Sequence, residues 1–254
     1  MKVLHHYNAD HHSTRSADVL IPALFELIHP ASVLDVGCGI GHWLQAFMHH
    51  GVKDVYGIDG PHVSIASLQI PSDRFLVYDL RQINDLNMGR KYDLVICLEV
   101  AEHLPSEKAS ELVAFLVKHG AHVMFSAAIP HQTGENHLNE QPFGYWQKLF
   151  ADEGYAFVDL FRKRFWNDDR INWWYRQNLF LAVPVALTGQ FGSSFDGNVY
   201  VHPELLQMYV NKTCSLQNQL CAANSGIRGL VGRARRRMSL WYLKAKHIST
   251  DNTN

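Results

Sequence analysis

No apolar run in this 254-residue sequence reaches the length of a membrane span. Its polar, His-rich start, MKVLHHYNADHHSTRS, also lacks the apolar centre of a secretion signal. Cysteine is scarce. Cys38, Cys97, Cys214 and Cys221 form no CxxC pair, which argues against a disulfide framework and for reduced thiols in a soluble cytoplasmic protein. Charge of one sign is missing too: the net charge is −1, so whole-protein electrostatics give no reason to expect a nucleic-acid partner. With 47% hydrophobic and 19% charged residues the chain is too apolar to be disordered. Its length suits one large α/β domain, alone or with a small appendage. Histidine is the plentiful residue, at 16 copies, most of them scattered singly as surface or core residues rather than ligands.

What is present alternates. SVLDVG, DVYGIDG, RFLVYDL, YDLVICLEV and AHVMFSAAIP read as five strands. Between them lie helical patterns: ADVLIPALFELI, with Ser16 as its cap and Pro22 near its start; HWLQAFMHH, stopped by Gly51; a short helix at VSIASL; and amphipathic SEKASELVAFLVKHG. After Pro130 comes a polar loop, HQTGENHLNEQPFGYW, then a helix at YWQKLFADEG. Two closing strands follow at YAFVDLFRKRF and NLFLAVPVAL, with the aromatic segment WNDDRINWWYRQ between them. Strand–helix alternation predicts a parallel sheet with helices on both faces and a ligand at the strands' carboxyl ends. The domain reading is a polar segment 1–16, a sheet domain 17–190 and a helical, basic extension 191–254.

The first strand runs into VLDVGCGIGHW, with glycines at 37, 39 and 41. Such a turn brings a ligand close to backbone. A P-loop would need Gly-Lys-Ser or Gly-Lys-Thr, but here His42 and Trp43 follow Gly41. A dinucleotide fingerprint would place its third glycine one residue later, a weak exclusion alone. The acids weigh more. Asp35 sits just before the turn, where it would repel a pyrophosphate and hold a cationic amino-acid end. Asp59 ends the second strand and can accept both hydrogen bonds of a ribose diol. Asp79, with the backbone of Leu80, ends the third and can receive an adenine amino group.

Taken in order, VLDVGCGIGHW, VYGIDG, LVYDL and YDLVICLEVAEHLP resemble the motifs of class I S-adenosylmethionine-dependent methyltransferases, over roughly residues 31–185. The resemblance implies a Rossmann-like, seven-stranded, mostly parallel sheet whose last strand is antiparallel. It implies S-adenosyl-L-methionine as cofactor, lying beside Gly37, Cys38, Gly39 and Gly41. Asp35, Asp59, Gly60, Asp79 and Leu80 would contact it, with Glu99 near its methionine end. Further on, FSAAIPHQTGENHLNEQPFGYWQKLFADEGY and WWYRQN are similar to bacterial methyltransferases of cell-surface polysaccharide and other glycan pathways, which implies a sugar or glycan hydroxyl as acceptor.

Methyl transfer to a hydroxyl calls for a base, and His137, in the loop after the fifth strand, is the first candidate, with His131 and Glu140 as substitutes. Glu99, Glu102 and His103 form a second cluster that can bind a divalent ion. It resembles ubiquinone-pathway O-methyltransferases, where acids and a histidine at this point are associated with metal. The blander reading is a cofactor-contacting loop. Cys38 and Cys97 read as packing thiols. Trp173, Trp174 and Tyr175 are either packing or a sugar platform, and Arg176 can pair with an acidic acceptor. The segment 227–247 carries seven Lys or Arg and no acid, with Trp241, Tyr242 and Leu243 after the basic run. It is either a solvated or subunit-contacting helix or a peripheral anchor at the inner face of a membrane. Two other functions stay open: a methyltransferase-fold adaptor without catalysis, and an NAD-dependent oxidoreductase, disfavoured by Asp35 and the turn spacing.

Overall fold

The computed structural model describes residues 14–192 and 200–223, with side chains through residue 220. Its elements are α1 (Arg15–Phe25), β1 (Ser32–Val36), α2 (His42–His49), β2 (Asp54–Asp59), β3 (Phe75–Val77), β4 (Tyr92–Leu98) and α3 (Ala109–His119). They continue with β5 (Gly120–Ser126), α4 (Phe143–Asp152), β6 (Tyr155–Val158), α5 (Arg162–Phe165), α6 (Trp173–Asn178), β7 (Phe180–Pro184) and α7 (Pro203–Ala223). The strands form one sheet in the order β3-β2-β1-β4-β5-β7-β6. Pairs β3/β2, β2/β1, β1/β4 and β4/β5 are parallel, and β7 is antiparallel to both β5 and β6. This is the mostly parallel sheet with a reversed last strand that the motifs imply.

The apolar runs become the central strands because both faces of the sheet are covered. All five residues of β1 are buried, and in β4 only Asp93 is exposed. Leu34, Ile58 and Ile96 are fully buried, each worth about 1.5–3 kcal/mol of burial. Register lines up the strand ends: Val36 pairs with Ile58, and Asp59 with Val77. Strand order reverses between β1 and β4, so a crevice opens outside their carboxyl ends.

The opposite edge is braced. Asp93 Oδ2 accepts the backbone N–H groups of Ala31 and Ser32 at 2.8 and 3.0 Å and the Ser32 hydroxyl at 3.1 Å. Ser32 Oγ in turn accepts the Asp93 N–H at 3.0 Å. Asp54 pairs with Arg90 and, at 3.7 Å, with Arg74. At the carboxyl end of β6 a buried strut links Arg162 to Asp159 at 2.6 Å, the guanidinium lying 4.4 Å from the Phe180 ring centroid.

Four local expectations change. Ser16 lies within the first turn of α1, not at its cap. Its hydroxyl accepts the Asn172 N–H at 3.0 Å, and Thr14 stands at the cap. Pro22 falls in the later half of α1, where it removes the hydrogen bond that the Asp18 carbonyl would receive. VSIASL makes only a 3₁₀ turn, Ile65–Ser67, too short and β-branched to propagate an α-helix. YAFVDLFRKRF stops being a strand after Val158, because the Asp159–Arg162 pair turns the chain into α5. The sheet-bearing unit runs to His202, and α7 belongs to a second unit. The basic segment 227–247 and its membrane reading lie outside the described residues. No helix among the described residues is long and apolar enough to cross a membrane.

Candidate active site

The glycine turn adopts a left-handed conformation that other residues take only at a cost. Gly37, Gly39 and Gly41 have φ of 84°, 55° and 90°, and a Cβ on Gly37 would strike the Val100 side chain. Backbone N–H groups of Gly37 and Cys38 donate to Ile58 O at 2.8 and 3.1 Å, tying the turn to β2. Gly41, left-handed, then launches α2. Asp59 knits the same region together: Oδ2 accepts the Gly39 N–H and Oδ1 the Gly60 N–H, both at 2.6 Å. His62 Nε2 lies 3.4 Å from Oδ1.

Asp79 stands at the next strand end, with Leu80 buried beside it. Its carboxylate is held by Arg81, whose Nε and Nη2 donate at 2.9 and 2.6 Å. Those bonds, more than the opposing burial, keep its pKa below the usual carboxylate value. The Cys38 thiol packs against Gly57, and Cys97 is fully buried; burial raises both pKa values well above the ordinary thiol, consistent with packing.

Asp35 is 3% exposed. Burial, reinforced by the nearby charge of Asp59, pushes its pKa well up. Glu99 follows β4 in the left-handed region, φ 53°, with its N–H on Ser126 O at 3.0 Å. Its carboxylate is not free: Asn178 Nδ2 and Gln132 Nε2 each donate at 3.1 Å, to Oε1 and Oε2. Burial still raises its pKa against those bonds. Gln132 also accepts from Asn178 and Gln177, and Gln177 Oε1 accepts the His202 N–H at 2.7 Å. Sequence reading overlooked Gln132, Gln177 and Asn178. The available signal was Gln177-Asn178, two amides abutting the apolar run of β7.

Glu102, His103 and His137 converge, with one ligand atom from each lying within 4.8 Å of the others. Glu102 is 1% exposed, and neither carboxylate oxygen has a well-formed hydrogen bond. Burial first, then the charge of Glu99, pushes its pKa well up. His137 arrives there because its loop docks on the Glu102 carbonyl, which accepts the N–H groups of Leu138 and Asn139 at 2.7 and 3.0 Å. The His103 and His137 rings meet edge-on, 4.9 Å between centroids. Thus the structure keeps Glu102 and His103 together but puts His137 where Glu99 was expected. Glu99 is turned to the amides instead.

The Trp43 indole donates to the Tyr175 hydroxyl at 3.3 Å, joining the start of α2 to α6. Trp173, Trp174 and Tyr175 are half-buried. Arg176 points inward, 5% exposed, and donates to the Trp166 carbonyl at 3.1 Å; it is not placed to meet an acceptor. Alternation along the short helix turns Tyr175 and Asn178 toward the site and Arg176 away from it.

A family model described as a methyltransferase domain matches residues 9–180. The ubiquinone biosynthesis O-methyltransferase of Acinetobacter baylyi is 34% identical over 134 residues, 50% of this chain and 50% of that one. The magnesium-protoporphyrin O-methyltransferase of Synechocystis is 35% identical over 88 residues, 33% of this chain and 38% of that one. The chain spans about half the length of the first curated relatives it matches. The solved magnesium protoporphyrin IX methyltransferase of Synechocystis, with bound SAH, is similar at TM-score 0.52 and 23% identity, covering 69% of this chain and 84% of that one. Streptomyces venezuelae DesVI is similar at TM-score 0.51 and 14% identity, covering 71% of this chain and 100% of that one. At these identities the structural likeness concerns the fold.

Proposed function

Since the chain belongs to the methyltransferase-domain family, we propose that it is an S-adenosylmethionine-dependent O-methyltransferase with its cofactor along the carboxyl edge of the sheet. The observation that carries this reading is Asp35, a buried acid whose strongest charged neighbour is another acid. Such a group is stable as a carboxylate once a cation sits against it, and the ammonium of the methionine end supplies one. The other residues fit the same ligand. The bare turn at Gly37, Gly39 and Gly41 admits it to the backbone, beside Cys38 and Gly60. Asp59, at the end of β2 beside the turn, stands where a ribose diol would meet a carboxylate. Asp79 and Leu80 stand where an adenine edge would end.

When bound, S-adenosylmethionine supplies an activated methyl group. The chain's own task is to align an acceptor oxygen with it and exclude water, a contribution of about 7–11 kcal/mol in well-oriented systems. Glu99, fixed by Asn178 and Gln132, orients the methionine end. His137 would take the acceptor's proton onto its imidazole, while the bound cofactor would supply the methyl group. For the acceptor we favour a sugar or glycan hydroxyl, supported by the half-exposed indoles of Trp173 and Trp174, against which a sugar face can stack. A phenolic hydroxyl is the second reading, supported by the ubiquinone biosynthesis relatives.

The buried, unpaired Glu102 carboxylate also fits a divalent ion. Glu102, His103 and His137 would hold it, and it would stabilise the acceptor as an oxyanion. On that reading His137 is a ligand and not the base. The test is transfer of labelled methyl from S-adenosylmethionine to cell-envelope glycans and to catechol-type phenols, with and without a chelator. Labelled product in either arm supports the enzyme, and chelator resistance supports His137 as base. No transfer to any acceptor, with the cofactor bound, returns the adaptor reading.

A further inference from the structure

The loop that carries His137 is organised around one carboxylate. Glu140 Oε1 accepts the Thr133 N–H at 2.8 Å and Oε2 the His131 N–H at 2.7 Å. Oε1 also meets His137 Nδ1 at 2.8 Å. His131, Thr133 and Asn136 all hold positive φ, of 69°, 57° and 60°. Non-glycine residues adopt this region at a cost, so three in one short loop require something to over-determine them. The three-way acceptor at Glu140 does so.

That same carboxylate settles the imidazole. A carboxylate only accepts, so the nitrogen facing it carries the proton, and a neutral ring then keeps its lone pair on Nε2. Beside Nε2 the chain has Gly134, and a Cβ there would strike the ring at that nitrogen. The loop is exposed at Gly134. The bare Cα of Gly134 lets the imidazole pack directly against the backbone.

We propose that Glu140 is a positioning residue that holds His137 in the Nε2-basic tautomer, with Gly134 giving the ring room to take that orientation. Glu140 is therefore not itself the base, although its charge stabilises the imidazolium formed during transfer. This rests on His137 acting as the base.

The experiment pairs kinetics with nitrogen-15 NMR of the histidine ring, which reads the tautomer whether or not the enzyme turns over. In the unsubstituted protein, at a pH where the ring is neutral, Nδ1 is protonated and Nε2 is not. Glu140→Gln mixes the tautomers and lowers kcat about 10²-fold, with unchanged affinity for S-adenosylhomocysteine. Glu140→Asp recovers part of that loss. His137→Ala combined with Glu140→Gln is no slower than His137→Ala alone, because the two act as a unit. Gly134→Ala sets a Cβ against the imidazole, displaces the ring and lowers kcat. Glu135→Gln, an exposed acid of the same loop, leaves turnover at the unsubstituted level. Protonated Nε2 in the unsubstituted protein, or a Glu140→Gln variant with normal tautomer and normal kcat, overturns the proposal. Additive losses in the double variant reduce Glu140 to a structural role and overturn it as well. Absence of methyl transfer by a protein with the expected ring spectrum sinks the base assignment instead, and the spectrum tells the two failures apart.

Discussion

Asp93 and Asp54 at the amino edge of the sheet are treated in the opposite way to Asp35 and Glu102 at the carboxyl edge. At the amino edge Asp93 takes three hydrogen bonds from Ala31 and Ser32, and Asp54 has Arg90 and Arg74 beside it. At the carboxyl edge Asp35 and Glu102 are more deeply buried, yet the strongest charges acting on them are those of other acids. Folding alone would select the first arrangement, since an unpaired buried carboxylate is costly. On the proposed function, a ligand would complete the second. On that proposal the chain finishes one edge itself and leaves the other for a cation.

Substitutions at the two edges should therefore separate stability from function. The largest effect is expected at His137, where replacement by Ala lowers kcat about 10²–10⁴-fold while S-adenosylhomocysteine still binds, as steady-state kinetics and calorimetry would read. Equal turnover would remove it from the mechanism. Next comes Asp59→Ala, which removes the ribose acceptor and the links to Gly39 and Gly60. Cofactor-product affinity should fall by about 10²-fold or more, two hydrogen bonds to a charged group at about 1.5 kcal/mol each. At the braced edge, Asp93→Ala should cost about 1–3 kcal/mol of unfolding free energy through the groups it leaves unsatisfied, with no change in ligand affinity. The smallest effect belongs to Arg90→Ala, a half-exposed pair worth about 0–1 kcal/mol in chemical denaturation.

The contrast also has a pH signature. The folded pKa of Asp35 is raised, so the ligand-free native state holds this proton more tightly than the unfolded chain. Its stabilising effect is complete below the unfolded value, about 3.9, and is lost as pH rises toward the folded pKa. Stability of the ligand-free protein should decline over that window, and Asp35→Asn should flatten the decline. An unchanged slope would mean that Asp35 is already paired.

The carboxyl edge was readable because its parts are local. A strand, a glycine turn and an acid at each strand end are contiguous motifs, and the sheet order follows from their alternation. What escaped reading is held together across the chain. The Glu99 side chain is settled by Asn178, 79 residues away, and by Gln132, so its spacing to Glu102 said little about where it points. Arg176 looked available because it neighbours exposed-looking aromatics, but the helical turn of α6 sends it to the Trp166 carbonyl. Ser16 could be placed at a helix start but not matched to its partner Asn172, 156 residues on. In each case the deciding contact lies between elements that only the sheet brings together.

The most direct test of the central claim compares calorimetric binding of S-adenosylhomocysteine with that of methylthioadenosine, which lacks the amino-acid end. In the unsubstituted protein and in Asp93→Ala, the first ligand should bind far more tightly. In Asp35→Asn most of that preference should vanish. Equal affinity for both ligands in the unsubstituted protein, or a preference that survives Asp35→Asn intact, would contradict an edge built to meet a cation.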